Sequence, residues 1–113
     1  MNNWVLFLDD LRSPTKEQKE WAETFPNTQL IIARSSKEAK ILTLKMGAPI
    51  YIFFDHDLGV DDFMGIDTVM FYLDWLIEMY YDADVGYSIH SANPQGAKNI
   101  EAKMNSWKKS KTL

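Results

Sequence analysis

Cysteine is absent from the 113-residue chain, which excludes a disulfide framework, a thiolate zinc site and a cysteine nucleophile. Long apolar runs are absent too. No purely apolar stretch exceeds five residues, whereas a bilayer-spanning helix needs about twenty. The opening residues Met1-Asn2-Asn3-Trp4 lack the basic region and apolar core of a secretory leader. These absences together set the expectation of a cytoplasmic protein with no membrane partner. Lys and Arg are missing from Met46 to Ala97, a stretch that holds nine acids and both histidines. Residues 1–45 carry seven bases and six acids, and residues 98–113 carry five lysines and one acid. The net charge of -4 therefore divides into about +1, -9 and +4 along the chain. A negative total argues against a surface that grips long duplex nucleic acid.

What is present describes one ordinary domain, residues 1–113. The composition is 46% hydrophobic and 25% charged, outside the disordered and low-complexity ranges. A chain of this size hides roughly two thirds of its unfolded surface, enough for one core. Trp4 to Leu8, Leu30 to Ala33 and Ile50 to Phe54 read as short, wholly apolar strands, with a weaker fourth at Gly86 to Ile89. Strands that do not alternate apolar with polar are covered on both faces, as in a parallel sheet between helices.

The intervening segments have helical spacing. Pro14 to Thr24 offers Ser13 as N-cap with Pro14 in the first turn. The next helix pairs Ser35 with Glu38 as a capping box, carries the stripe Ala39, Leu42 and Met46, and stops at Gly47. The third, Ile66 to Tyr81, has an unusually wide apolar arc that adds Phe71, Tyr72, Trp75 and Leu76. It reads as a helix sunk between sheet and neighbours, with a homodimer through its aromatic face as the alternative. The last starts at Pro94 with Asn93 as N-cap, faces the core through Ile100, Met104 and Trp107, and ends in lysines that suit its dipole. Strand and helix alternating four times imply right-handed crossovers and a small open parallel sheet of four strands flanked by helices.

In such a sheet ligands bind beyond the carboxyl ends of the strands. Asp9-Asp10-Leu11-Arg12 follows the first strand, Asp55-His56-Asp57-Leu58-Gly59 the third and His90-Ser91-Ala92-Asn93-Pro94 the fourth. The second is followed by Arg34-Ser35-Ser36, which reads as a helix cap. Four carboxylates and two imidazoles thus converge on one edge, with Arg12 as the nearby base. Carboxylates so close repel one another unless a cation sits among them. All-oxygen ligands suit a hard ion, Mg²⁺ or Mn²⁺, and disfavour zinc. Taken singly, each aspartate also fits a turn or helix cap. Ser91 adjoins His90 directly and has no triad geometry, which argues against a serine hydrolase.

These residues resemble two families. Asp9-Asp10 with Asp55 is similar to the acidic pocket of two-component receiver domains, where Mg²⁺ binds and the aspartate after the third strand accepts phosphate. Leu58-Gly59 falls near that family's Met-Pro, and Ser91-Ala92 near its hydroxyl-Ala. The chain departs from a receiver, which has a flavodoxin-like fold, in lacking a fifth strand ending in Lys-Pro; it reads as a truncated version. The fuller resemblance is to cyclic-phosphate-processing receiver domains. It rests on Leu8-Asp9-Asp10-Leu11-Arg12-Ser13-Pro14, Asp55-His56-Asp57-Leu58-Gly59 and His90-Ser91-Ala92-Asn93-Pro94 with Gly96 and Asn99.

That resemblance implies a metal-dependent phosphohydrolase or phosphodiesterase acting on cyclic phosphates of small nucleotides or RNA ends. Asp9, Asp10 and Asp55 would hold the metal, and Asp57 or His56 would orient or deprotonate water. His90 would act as general acid, because imidazole titrates near neutral pH. Arg12, Ser91, Asn93 and the amides opening the last helix would bind phosphate oxygens. Two alternatives stand beside this reading. One is a module that binds or sequesters a cyclic nucleotide, or signals by protein interaction, without chemistry; the other is a receiver phosphorylated on Asp55.

Overall fold

The computed structural model describes residues 3–9, 12–55, 68–90 and 94–111. Its elements are β1 (Asn3–Leu8), α1 (Lys16–Glu23), β2 (Thr28–Ala33), α2 (Ser36–Met46), β3 (Tyr51–Asp55), α3 (Thr68–Met79), β4 (Gly86–His90) and α4 (Pro94–Ser110). All strands are parallel, in the order β2-β1-β3-β4. The expected four-stranded α/β sheet is therefore the observed one.

The apolar runs form strands because both faces of the sheet are covered. Leu6 of β1 is registered with Ile31 of β2 and Ile52 of β3. Trp4 to Leu8 are at most 1% exposed. Trp4, Leu6 and Leu8 enter a larger core with Ala39, Tyr72, Leu73, Met104 and Trp107, while Val5 and Phe7 enter a smaller one with Ala22 and Phe53. Burying five such side chains contributes on the order of 10 kcal/mol before chain entropy is counted. Three helices, α2, α3 and α4, thus cover one face and α1 the other. Right-handed crossovers set α1 against α2 and α3, because the β1 to β2 step runs in the opposite direction across the sheet from the later two; α4 follows the last strand and packs into the core of α2 and α3.

Helix ends follow local chemistry, with one correction. The cap of α1 is Thr15, two residues beyond the expected Ser13. The Thr15 hydroxyl accepts from the Gln18 N–H at 3.1 Å, and the Gln18 side chain accepts from the Thr15 N–H at 2.8 Å. This reciprocal pair satisfies two donors at once, which a cap at Ser13 would not. In α2, Ser35 accepts from the Glu38 N–H at 3.1 Å, and Gly47 ends the helix at φ +87°. Trp4 Nε1 donates to the Gly47 carbonyl at 2.9 Å and ties this turn to the central strand. The described part of the third helix is Thr68–Met79; Ile66 lies outside the described residues. Tyr72, Leu73 and Leu76 are fully buried, as a sunken helix requires, but Phe71 and Met79 are each 57% exposed. Ile100, Met104 and Trp107 of α4 are buried as expected. Its lysine-rich end lies over aromatic rings, with Lys108 Nζ 5.2 Å from the Tyr87 centroid and Lys111 Nζ 4.5 Å from that of Trp107.

Candidate functional site

The sheet order places a topological switch between β1 and β3, since β1 leads outward to β2 on one side and lies beside β3 on the other. Crevices at such a point are where open parallel sheets bind ligands. Leu8 is registered with Phe54, and Asp55 with His90. Asp9 follows Leu8, so Asp9, Asp55 and His90 end three adjacent strands. At strand spacings of about 4.8 Å, their backbones fall within roughly 10 Å. Three residues far apart in sequence are thereby brought to one edge.

Asp9 is fully buried. Burying a carboxylate costs several kcal/mol unless it is compensated, so its position at a strand end is an expense that packing alone does not require. The Arg12 backbone N–H donates to Asp9 Oδ1 at 3.0 Å. The Asp9 N–H in turn donates to the Ala33 carbonyl at 3.1 Å, prolonging the ladder with β2 beyond the last strand residue. Arg12 and His90 are exposed, so both are reachable by a dissolved ligand.

Arg34 organises this corner. Its Nη1 donates to the Asp9 carbonyl at 3.3 Å and to the Arg12 carbonyl, and its Nη2 donates to the Ser13 hydroxyl at 3.2 Å. A guanidinium presents several donors in a rigid fork, which suits the three acceptors on Asp9, Arg12 and Ser13. Sequence reasoning took the segment after β2 for a helix cap and missed this residue. The available signal was a basic residue directly after the strand that neighbours β1; the acceptors, being mostly backbone carbonyls, leave no motif.

Of the expected site residues, the structure places Asp9, Arg12 and His90 and the backbone of Asp55. Asp10, His56, Asp57, Ser91 and Asn93 lie outside the described residues, as does the Asp55 side chain. Among the described residues no three His, Asp or Glu side chains are grouped to hold a metal ion. The one expected ligand whose side chain is described, Asp9, fits a hard cation in donor type and in place. It is a buried carboxylate at the switch point, already oriented by a backbone N–H. No described helix is long and apolar enough to cross a membrane.

Comparison with known proteins agrees with this architecture. No curated protein and no solved structure matches the chain. The family described as the cyclic-phosphate processing receiver domain matches residues 4–106, a span that runs from β1 through most of α4 and takes in all three strand ends. The chain belongs to the cyclic-phosphate processing receiver family.

Proposed function

We propose that the protein is a metal-dependent phosphohydrolase that opens cyclic phosphates of small nucleotides or RNA ends. The observation that carries the reading is the alignment of Asp9, Asp55 and His90 on three adjacent strand ends, with the Asp9 carboxylate buried there. Asp9, Asp10 and Asp55 would hold Mg²⁺ or Mn²⁺. When bound, such an ion supplies positive charge against the phosphate as negative charge builds on it.

The protein's own groups carry the proton movements. Asp57 or His56 takes a proton from water as the water oxygen bonds to phosphorus. The bond from phosphorus to one ribose oxygen breaks, and His90 delivers a proton to that departing oxygen. The product is a ring-opened phosphomonoester. Arg12, Ser91 and Asn93, with the first amides of α4, bind the non-bridging oxygens. Arg34 holds Asp9, Arg12 and Ser13 in place for this.

The test is incubation with Mg²⁺ or Mn²⁺ and a panel of 2′,3′-cyclic nucleotides, cyclic dinucleotides and RNA bearing a cyclic-phosphate end, followed by ³¹P NMR. The expected result is conversion of at least one substrate to its monoester, reduced at least about 100-fold by His90→Ala. No turnover of any substrate by folded protein contradicts the proposal. Binding that survives His90→Ala and leaves the ligand intact would favour sequestration, and a mass gain on Asp55 from acetyl phosphate would favour a phosphoacceptor.

A further inference from the structure

Six large hydrophobic side chains are markedly exposed among the described residues, and four of them lie on two neighbouring helices: Ile41 (48%) and Leu44 (62%) on α2, Phe71 (57%) and Met79 (57%) on α3. Single exposed apolar residues are ordinary, but a contiguous group marks an interaction surface. Helical spacing makes this group contiguous. Phe71, Trp75 and Met79 recur every four residues along α3, and Leu44 lies one turn beyond Lys40 on α2. Lys40 joins the two rows, with its Nζ 5.2 Å from the ring centroids of both Phe71 and Trp75.

The face is rigid beneath. The hydroxyls of Thr43 and Tyr72 are hydrogen-bonded at 2.9 Å, and the Tyr80 hydroxyl donates to the Thr43 carbonyl at 3.4 Å. A preformed surface loses little freedom on binding.

Charge identifies the occupant. Helix α2 carries Lys37, Lys40 and Lys45 against Glu38, a net +2, while α3 carries Asp74 and Glu78 with no base; Asp74 is paired with Lys103 of α4 at 2.7 Å, so Glu78 is the acid that α3 offers a partner copy. Both helices run in the same direction, because each is a crossover in a parallel sheet. A two-fold axis between and along them lays α2 of one copy on α3 of the other, and the pairing of unlike charge occurs twice. We propose that the α2–α3 face is the interface of a symmetric homodimer of this chain. Two helices of three turns offer on the order of 600 Å² per copy, the lower end of stable interfaces, so the dissociation constant should be micromolar. The proposal does not depend on the phosphate site.

Sedimentation of the full chain from about 5 to about 500 µM reads the association directly. A monomer–dimer equilibrium in that range is expected, weakened at least about tenfold by Leu44→Glu. Two exposed charge variants keep the test independent of any folding defect. Lys37→Glu with Lys45→Glu makes both helices acidic, and Glu78→Lys, which leaves the Lys103–Asp74 pair intact, sets a base on α3 against the basic α2 of the other copy. Each variant alone should stay monomeric, and mixing the two should restore a dimer. A wild-type chain monomeric throughout, a dimer indifferent to Leu44→Glu, or variants that do not associate on mixing would each overturn the proposal.

Discussion

Arg34 donates to the carbonyls of Asp9 and Arg12 and to the Ser13 hydroxyl, and a hydrogen bond from a charged donor contributes about 1.5–3 kcal/mol net, less where the side chain is partly exposed as here. Arg34→Ala should therefore lower stability by about 1–2 kcal/mol in denaturant titration. Arg34→Lys should recover less than half, since an ammonium is a point donor and cannot span three acceptors. Cyclic-phosphate turnover should fall in both variants by more than the unfolded fraction explains, which separates positioning of Asp9 and Arg12 from packing. Tyr72 offers a second test at the same scale. Burial pushes its phenol above the ordinary tyrosine value of about 10, partly opposed by the hydrogen bond with Thr43. The folded protein thus keeps this proton at pH values where the unfolded chain loses it. The stabilisation is complete below about pH 10 and declines as the pH rises beyond it. Tyr72→Phe should flatten that alkaline decline in denaturation midpoint. At neutral pH it should cost about 1 kcal/mol, because Thr43 still donates to the Ala39 carbonyl at 2.7 Å.

Among the elements, strands were the more legible. Trp4 to Leu8 and Ile50 to Phe54 announce themselves because parallel strands buried on both faces leave no polar alternation. The observed strand ends differ from the expected ones by one residue at β1, β3 and β4, and by two at the start of β2. The start of α1 was misplaced because Ser13 and Thr15 flank Pro14 and either hydroxyl can cap; the reciprocal Thr15–Gln18 pair decides between them. The placement of Asp9, Asp55 and His90 at the carboxyl ends of strands was legible because each directly follows an apolar run. Arg34 was not, because it acts through backbone acceptors that only the folded chain brings near. Gly86 is a further case in which the reason for a residue is tertiary. It starts β4 opposite Tyr51 of β3, and a Cβ there would come within 2.6 Å of Tyr51 Cδ2. That ring is held by Trp21 and Phe53, at centroid distances of 4.5 and 5.2 Å. Gly86→Ala should destabilise the protein by about 1–3 kcal/mol through overpacking, measured by thermal or chemical denaturation, and a smaller residue at 51 should relieve it.

For the whole molecule, the net charge of -4 acquires a spatial meaning. Part of the basic tail folds back on the acidic middle, as in the 2.7 Å pair of Lys103 with Asp74, while the backbones of Asp9 and Asp55 lie at the ends of adjacent strands. The account stands on the claim that three strand ends form one cation-dependent phosphate site. Titrating the isotopically labelled protein with Mn²⁺ and recording amide spectra tests it most directly, because a paramagnetic ion broadens signals near its binding position. The account predicts that signals of Asp9, Asp55 and His90 are lost first, those of the distant α1 C-terminus and Tyr51 persist, and Asp9→Asn abolishes the effect. Broadening centred elsewhere, or none at millimolar metal, would contradict it.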